Sequence, residues 1–255
     1  MSRFRLIACN VFQRELSIAL GASRHIVDPE FLELGLHERA DNLRATLQQR
    51  IDEASRARAP GGEPYDAILL AYGLCGNGTA GLEARNLPIV MPRAHDCCTV
   101  LLGSRAALAE YFGDSPSASW SSAGYVERGA TYFRSSVLGQ SSGIGLEYTA
   151  LVEQYGEENA AYVWETLHPE LHETTLRYIE TPETAHLGFA DLLRDRAAAE
   201  GKDFLLIPGS SRLLRALVDG EWDPDEFLVV PPGGRIEPAW DLERVVQVAS
   251  DPGKE

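Results

Sequence analysis

Apolar residues along this chain fall into two alternating patterns: short unbroken runs, and longer stretches where they recur every third or fourth position. The runs Arg3–Cys9, Tyr65–Tyr72 and Leu87–Met91 read as strands. YDAILLAY is the continuous kind that a parallel sheet buries on both faces. Between the runs, Val11–Leu20 spaces Val11, Phe12, Leu16 and Ala19 as a helix does and stops at Gly21. His25–Leu36 reads as a strand plus a loop. Ala40–Arg58 is the plainest helix, with Leu43, Leu47, Ile51 and Ala54 in one stripe and Arg44, Gln48, Arg50 and Glu53 around the rest. Asp96 suits the N-cap of a helix beginning at Cys97, and Ser104 caps its continuation to Phe112.

The pattern then lapses. Residues 113–145 are rich in Ser, Gly and aromatics without a clean period, with one short strand expected near Ala130–Phe133. Unpatterned stretches of that length inside a domain are usually binding loops or lids. Helices at Glu147–Tyr155 and Glu157–Leu167 follow, divided at Gly156. The alternation restarts with a strand at Thr175–Ile179, a helix at Glu183–Glu200 and a strand at Asp203–Ile207. It ends with a helix at Ser211–Asp219 and a strand at Phe227–Val230. This order predicts an α/β, Rossmann-like three-layer fold with a mostly parallel sheet, two βαβ halves and an irregular middle segment. A single domain over 1–250 is expected, made of an N-terminal half (1–112), a loop and helical insertion (113–170) and a C-terminal half (171–250).

Composition narrows the function classes. Asp and Glu number 38 against 23 Lys and Arg, a formal charge of -15, which would repel nucleic-acid phosphates. No apolar run reaches the ~18–20 residues of a membrane span, and the N-terminus lacks the pattern of a signal peptide. A cytoplasmic protein acting on a small molecule, with no nucleic acid and no membrane, is the expectation. In that setting the four cysteines are thiols rather than disulfides.

Their placement carries the chemistry. Ligands of open parallel sheets bind beyond the carboxyl ends of the strands. Cys9 ends the first predicted strand, Cys75 lies just past Tyr72, and His95, Asp96, Cys97 and Cys98 follow Met91. Core filler would be scattered; these share one edge. Thiolates with imidazole or carboxylate suit zinc, and iron is the alternative. There is no CxxC pair, so ligands would converge from separate strands. Cys97 and Cys98 point about 100° apart on a helix, so only one is expected to face the site. Two readings compete with a metal enzyme. One is a non-catalytic accessory protein that carries or inserts its metal or cofactor. The other is a metal-free role in which Cys97 at a helix N-terminus would have its pKa lowered and act as a nucleophile, with His95 or His37 as base.

Gly73-Leu74-Cys75-Gly76-Asn77-Gly78 lacks the endings of phosphate-binding loops. It reads as a tight turn where Gly73, Gly76, Asn77 and Gly78 let a ligand approach the backbone. Pro208-Gly209-Ser210-Ser211 is a second such turn, most simply a serine-capped βα loop. Glu15, on the helix after Cys9, joins His95 and Asp96 as a candidate acid, base or ligand if that helix end faces the site. His168, His172 and His186 sit in charged surroundings and are set aside.

At Cys9, at YGLCGNG (Tyr72–Gly78) and at PRAHDCC (Pro92–Cys98), the chain resembles the bacterial and archaeal proteins known as domain of unknown function 1638. The likeness extends through Leu36-His37, Gly129–Phe133 and the closing FLVVPPG. It implies recurrent thiols at Cys9, Cys75 and Cys97, favouring Cys97 over Cys98, and makes His95 the more replaceable neighbour. It carries no established reaction. An association with corrinoid-dependent methyl transfer implies a one-carbon group as cargo and a methyl-carrier protein as partner.

Overall fold

In the computed structural model the described residues are 1–114, 118–129, 152, 156–157, 159–160, 174–239 and 244–249. The expected strand at Ala130–Phe133 lies outside them, as do the helices expected over 147–167 apart from isolated positions.

The chain begins with β1 (Arg3–Cys9), a single 3-10 turn at Asn10–Phe12, and α1 (Gln13–Ala22). Next come β2 (Ile26–Leu32), α2 (Ala40–Arg56), β3 (Ala67–Ala71) and β4 (Ile89–Pro92). The stripe Leu43, Leu47, Ile51 and Ala54 of α2 is fully buried, which is the burial its spacing called for. All five residues of β3 are buried, as expected of a central strand.

After β4 the backbone enters α3 (Cys97–Leu102), capped by Asp96, whose Oδ1 accepts from the Thr99 amide at 3.0 Å. The helix does not continue to Phe112. Gly103 turns left-handed at φ 79° and lies against Ser210, where any Cβ would stand 2.8 Å from the serine's own. A separate α4 (Arg105–Phe112) then starts under its Ser104 cap.

These strands form a five-stranded sheet in the order β2-β1-β3-β4-β8, parallel throughout except at β8 (Phe227–Val230), which runs antiparallel to β4. An apolar run of four residues carries no mark of its direction, which is why the sequence does not reveal this reversal.

A second, three-stranded parallel sheet has the order β5-β6-β7, from β5 (Trp120–Ser122), β6 (Thr175–Glu180) and β7 (Asp203–Pro208). One turn of helix, α5 (Ala123–Val126), follows β5 directly. Between β6 and β7 lies α6 (Phe189–Ala199), which starts later than the expected Glu183. Thr181 and Thr184 tie the intervening turn through their hydroxyls, and Gly188 at φ 73° precedes the first helical residue. The helix α7 (Arg212–Asp219) packs on α1, and a short hairpin of β9 (Ile236–Pro238) and β10 (Val246–Val248) closes the described chain. The fold is α/β and Rossmann-like, with a mostly parallel central sheet flanked by helices. Among the described residues no helix is long and apolar enough to cross a membrane.

Candidate functional site

Strand order locates the site. From β1 the chain moves outward to β2, then crosses back past β1 to β3 and onward to β4. The order therefore reverses between β1 and β3, and the crevice outside their carboxyl ends is where such sheets take ligands. Cys9 is the last residue of β1, and Cys75 follows β3 across this same point.

Two loops bring Cys75 and Cys97 together by continuing the sheet beyond its strands. The Leu74 amide donates to Ala94 O and the Cys75 amide to His95 O, both at 2.8 Å. Gly73 makes that approach possible: a Cβ there would stand 2.7 Å from the Asp96 amide nitrogen. The backbone then turns through three consecutive left-handed residues, Cys75 (φ 46°), Gly76 (φ 62°) and Asn77 (φ 69°). Gly78 presses on the Leu43 side chain of α2, where a Cβ would be 2.5 Å from Cδ2. Arg44 of α2 fastens the far side of the turn by donating to the carbonyls of Asn77 and Ala80. The turn is thus shaped by packing on both flanks. A cysteine in the left-handed region costs about 1 kcal/mol that glycine would not. Strain of this kind held in place by its surroundings is typical of functional positions.

Cys9, Cys75 and Cys97 lie within electrostatic reach of one another. Burial pushes the Cys9 thiol up to about 11, eased by the Val11 amide and the Arg128 guanidinium. It raises Cys75 and Cys97 further, and there the Asp96 carboxylate and the neighbouring thiols add to the effect. Cys97 does not gain the low pKa that its place at a helix N-terminus suggests. Its helix has only six residues, and burial beside Asp96 outweighs so short a dipole. Cys98 is buried too, but only Asp96 acts on it, so it stands apart from the other three. Among the described residues no three His, Cys, Asp or Glu side chains form a ready-made metal cage.

Two tyrosines close the cluster. The Tyr125 Oη lies 3.1 Å from Cys97 Sγ, and its ring meets Trp120 edge to face at 5.2 Å. α5 delivers Tyr125 by an unusually close contact, since a Cβ on Gly124 would lie 1.9 Å from the Val11 carbonyl. Tyr72, between β3 and the turn, is buried among Cys9, Cys75 and Cys97, and its Oη has no hydrogen-bond partner. Asn10 Oδ1, next to Cys9, is likewise buried and unpartnered. Sequence reasoning passed over both phenols. The available signal for Tyr125 was an aromatic flanked by glycine in an otherwise small-residue segment, which marks close backbone approach.

The remaining candidates divide. Asp96 serves α3 as its cap, with Oδ1 also 3.2 Å from the Thr99 hydroxyl, and its charge reaches Cys75 and Cys97. His37 is half-buried near Asp96, and burial holds its pKa below the usual imidazole value. His95 contributes the carbonyl that pairs with Cys75. Glu15 does not join the thiols. It is 2% exposed, not on the surface, and its Oε1 accepts from Thr181 Oγ1 at 2.9 Å, at the end of β6. In the Pro208 turn, Ser211 does not cap α7; its hydroxyl donates to Glu183 instead.

The cluster therefore brings three thiols, two phenols and one nearby guanidinium to the carboxyl end of the sheet. Comparison with curated proteins and with solved structures finds no match. A family model does match, over residues 31–218, a span that takes in Cys75, Cys97 and both tyrosines and begins after Cys9. The chain belongs to the family described as proteins of unknown function, DUF1638.

Proposed function

We propose that Cys9, Cys75 and Cys97 hold a soft transition-metal ion, zinc in first place and iron as the alternative. On this reading the protein is a metal-dependent enzyme that transfers a small group, a methyl or other one-carbon fragment, to or from a small molecule. One observation carries the reading. Three of the four thiols come from three separate segments to the crevice where the strand order reverses, while the adjacent Cys98 stays outside.

The donor set fits such an ion. Sulfur-rich sites favour zinc and iron over hard cations. Cys75 and Cys97 are each raised by the Asp96 carboxylate and by neighbouring thiols, an excess of negative charge that a divalent ion would offset. The strained backbone at Cys75 has an explanation if its thiol is required.

When bound, the ion holds sulfur as thiolate at neutral pH, an activation better suited to thiol and alkyl chemistry than to peptide hydrolysis. The protein's own groups do the rest. Tyr125 donates to ionised Cys97 and fixes its direction. Tyr72 keeps its hydroxyl free for an acceptor on the substrate. Arg128 is the nearest cation to Cys9. The metal-free alternative, a nucleophilic Cys97, has less support, because burial and the Asp96 carboxylate both raise that thiol.

Metal analysis by plasma mass spectrometry on the purified protein beside Cys75→Ser tests the reading. About one zinc or iron per chain, lost in the variant, is the expected result. No metal in either protein after expression in supplemented medium overturns it.

A further inference from the structure

A second buried polar cluster lies away from the thiols, where α1, the turn after β6 and the start of α7 meet. Glu15 is held by Thr181 Oγ1 through Oε1, and its Oε2, though buried, has no hydrogen-bond partner. Glu183 repeats the arrangement: Oε1 accepts from Ser211 and the buried Oε2 is unpartnered. The phenol of Tyr178 on β6 is fully buried, unpartnered and within electrostatic reach of Glu15. Ser121, in register beside Tyr178, brings a further buried hydroxyl without a partner.

Folding alone rarely tolerates this. Each buried unpaired polar atom carries an uncompensated desolvation penalty, and an isolated buried carboxylate carries a larger one. Here two carboxylates are each aligned by one hydroxyl and each leave one oxygen bare. Their charges add rather than cancel: Glu183 and Glu127 both act on Glu15 in the direction that opposes its ionisation. Glu183 also lines a surface cavity of about 330 Å³ together with Gln13 and His186, which gives a small solute access. Arg14 and Arg128 border that cavity and are both engaged with Glu127, and Arg14 also lies within electrostatic reach of Glu15.

We infer that Glu15 and Glu183 form a binding site for a hard divalent cation of the Mg²⁺ or Mn²⁺ type. The donors are all oxygen, which selects hard cations over the soft ions that thiols prefer. Two carboxylates neutralise the ion, and the Thr181 and Ser211 hydroxyls hold them in place as outer-shell partners. Waters complete the shell, as is usual for Mg²⁺. The site does not depend on the thiol reading, and the molecule on this view sorts two classes of metal between the ends of its two sheets.

The test is Mn²⁺ binding followed by electron paramagnetic resonance, on chelator-treated full-length protein, Glu15→Gln, Glu183→Gln and Cys75→Ser. Folding of each variant is checked by its thermal melt. The expected result is about one Mn²⁺ per chain, weakened roughly tenfold or more by either glutamine and competed by Mg²⁺, with Cys75→Ser unchanged. Absence of saturable Mn²⁺ binding overturns the inference, as does binding that both glutamine variants retain. Loss of Mn²⁺ in Cys75→Ser alone also overturns it, since the ion would then sit at the thiols. A carboxylate pair that shares a proton and takes no metal is the contrary outcome, recognised when neither the parent protein nor any variant binds Mn²⁺.

Discussion

The carboxyl ends of the two sheets have been built from opposite materials. At the five-stranded sheet, Cys9, Cys75 and Cys97 gather with Tyr72 and Tyr125, and the nearest counter-charge is Arg128 on Cys9. At the three-stranded sheet, Glu15 and Glu183 gather with Thr181, Ser211 and Tyr178. Both regions bury polar atoms without partners, so neither is explained by packing. They differ in softness and in the pH at which burial becomes costly. A buried thiol is neutral until alkaline pH, whereas a buried carboxylate is under stress from mild acidity upward. The same architecture thus sets an energetically quiet thiol cluster beside a strained carboxylate one.

The comparison breaks most readily at Gly124. α5 roofs the thiols through Tyr125 and its far end carries Glu127 and Arg128, so both regions depend on its contact with Val11. Gly124→Ala places a methyl group against a backbone carbonyl and is expected to cost about 3 kcal/mol. The measurement is the urea midpoint, with Trp120 fluorescence reporting on β5–α5. An unchanged midpoint means that the close approach is not as described.

Titration separates the regions next. In metal-free protein Cys9 has its pKa raised from 9.0 to about 11. Its contribution to stability is therefore fully present below pH 9 and lost as pH rises through 11, about 2–3 kcal/mol in all. Glu15 is raised as well, so its contribution is present below its unfolded value of 4.5 and lost above it. Denaturation followed against pH should show the alkaline loss flattened by Cys9→Ala and the acidic one flattened by Glu15→Gln. At neutral pH Glu15→Gln should stabilise the metal-free chain. Variants that flatten the opposite limbs, or neither, contradict the assignment.

A smaller effect sharpens the role of Cys75. Cys75→Gly relieves a left-handed cysteine and is expected to hold or raise metal-free stability by up to about 1 kcal/mol, while metal is lost. Clear destabilisation of the metal-free variant would make the thiol a packing group. Smallest is Arg128→Gln, which removes the nearest positive charge from Cys9. Alkylation of Cys9 followed against pH should shift modestly to higher pH, with no change at Cys98.

How much of this was legible in sequence follows from how local each cause is. β1, β3 and α2 are read directly from their apolar runs and stripe. The Asp96 and Ser104 caps are equally plain, because a side-chain oxygen bonding an amide three residues on needs no distant partner. The placement of Cys9, Cys75 and Cys97 at or just past the carboxyl ends of β1, β3 and β4 was legible from where the apolar runs stop. What escaped depends on contacts between distant segments. The direction of β8, the hairpin of β9 and β10, and the break at Gly103 against Ser210 leave no local trace. Tyr125 reaches Cys97 only because α5 docks on Val11. The burial of Glu15 leaves no local trace either, since the turn that buries it, at Thr181, is remote in sequence.

The central claim is that three particular thiols, and not the fourth, form one metal site. Cobalt(II) tests it most directly, since each cobalt–thiolate bond adds charge-transfer absorption in the near ultraviolet and a tetrahedral ion adds visible bands. The account predicts one cobalt per chain with intense thiolate absorption, unchanged in Cys98→Ala and diminished in each of Cys9→Ala, Cys75→Ala and Cys97→Ala. A spectrum that Cys98→Ala alters as much as the others, or the absence of any thiolate band, contradicts it.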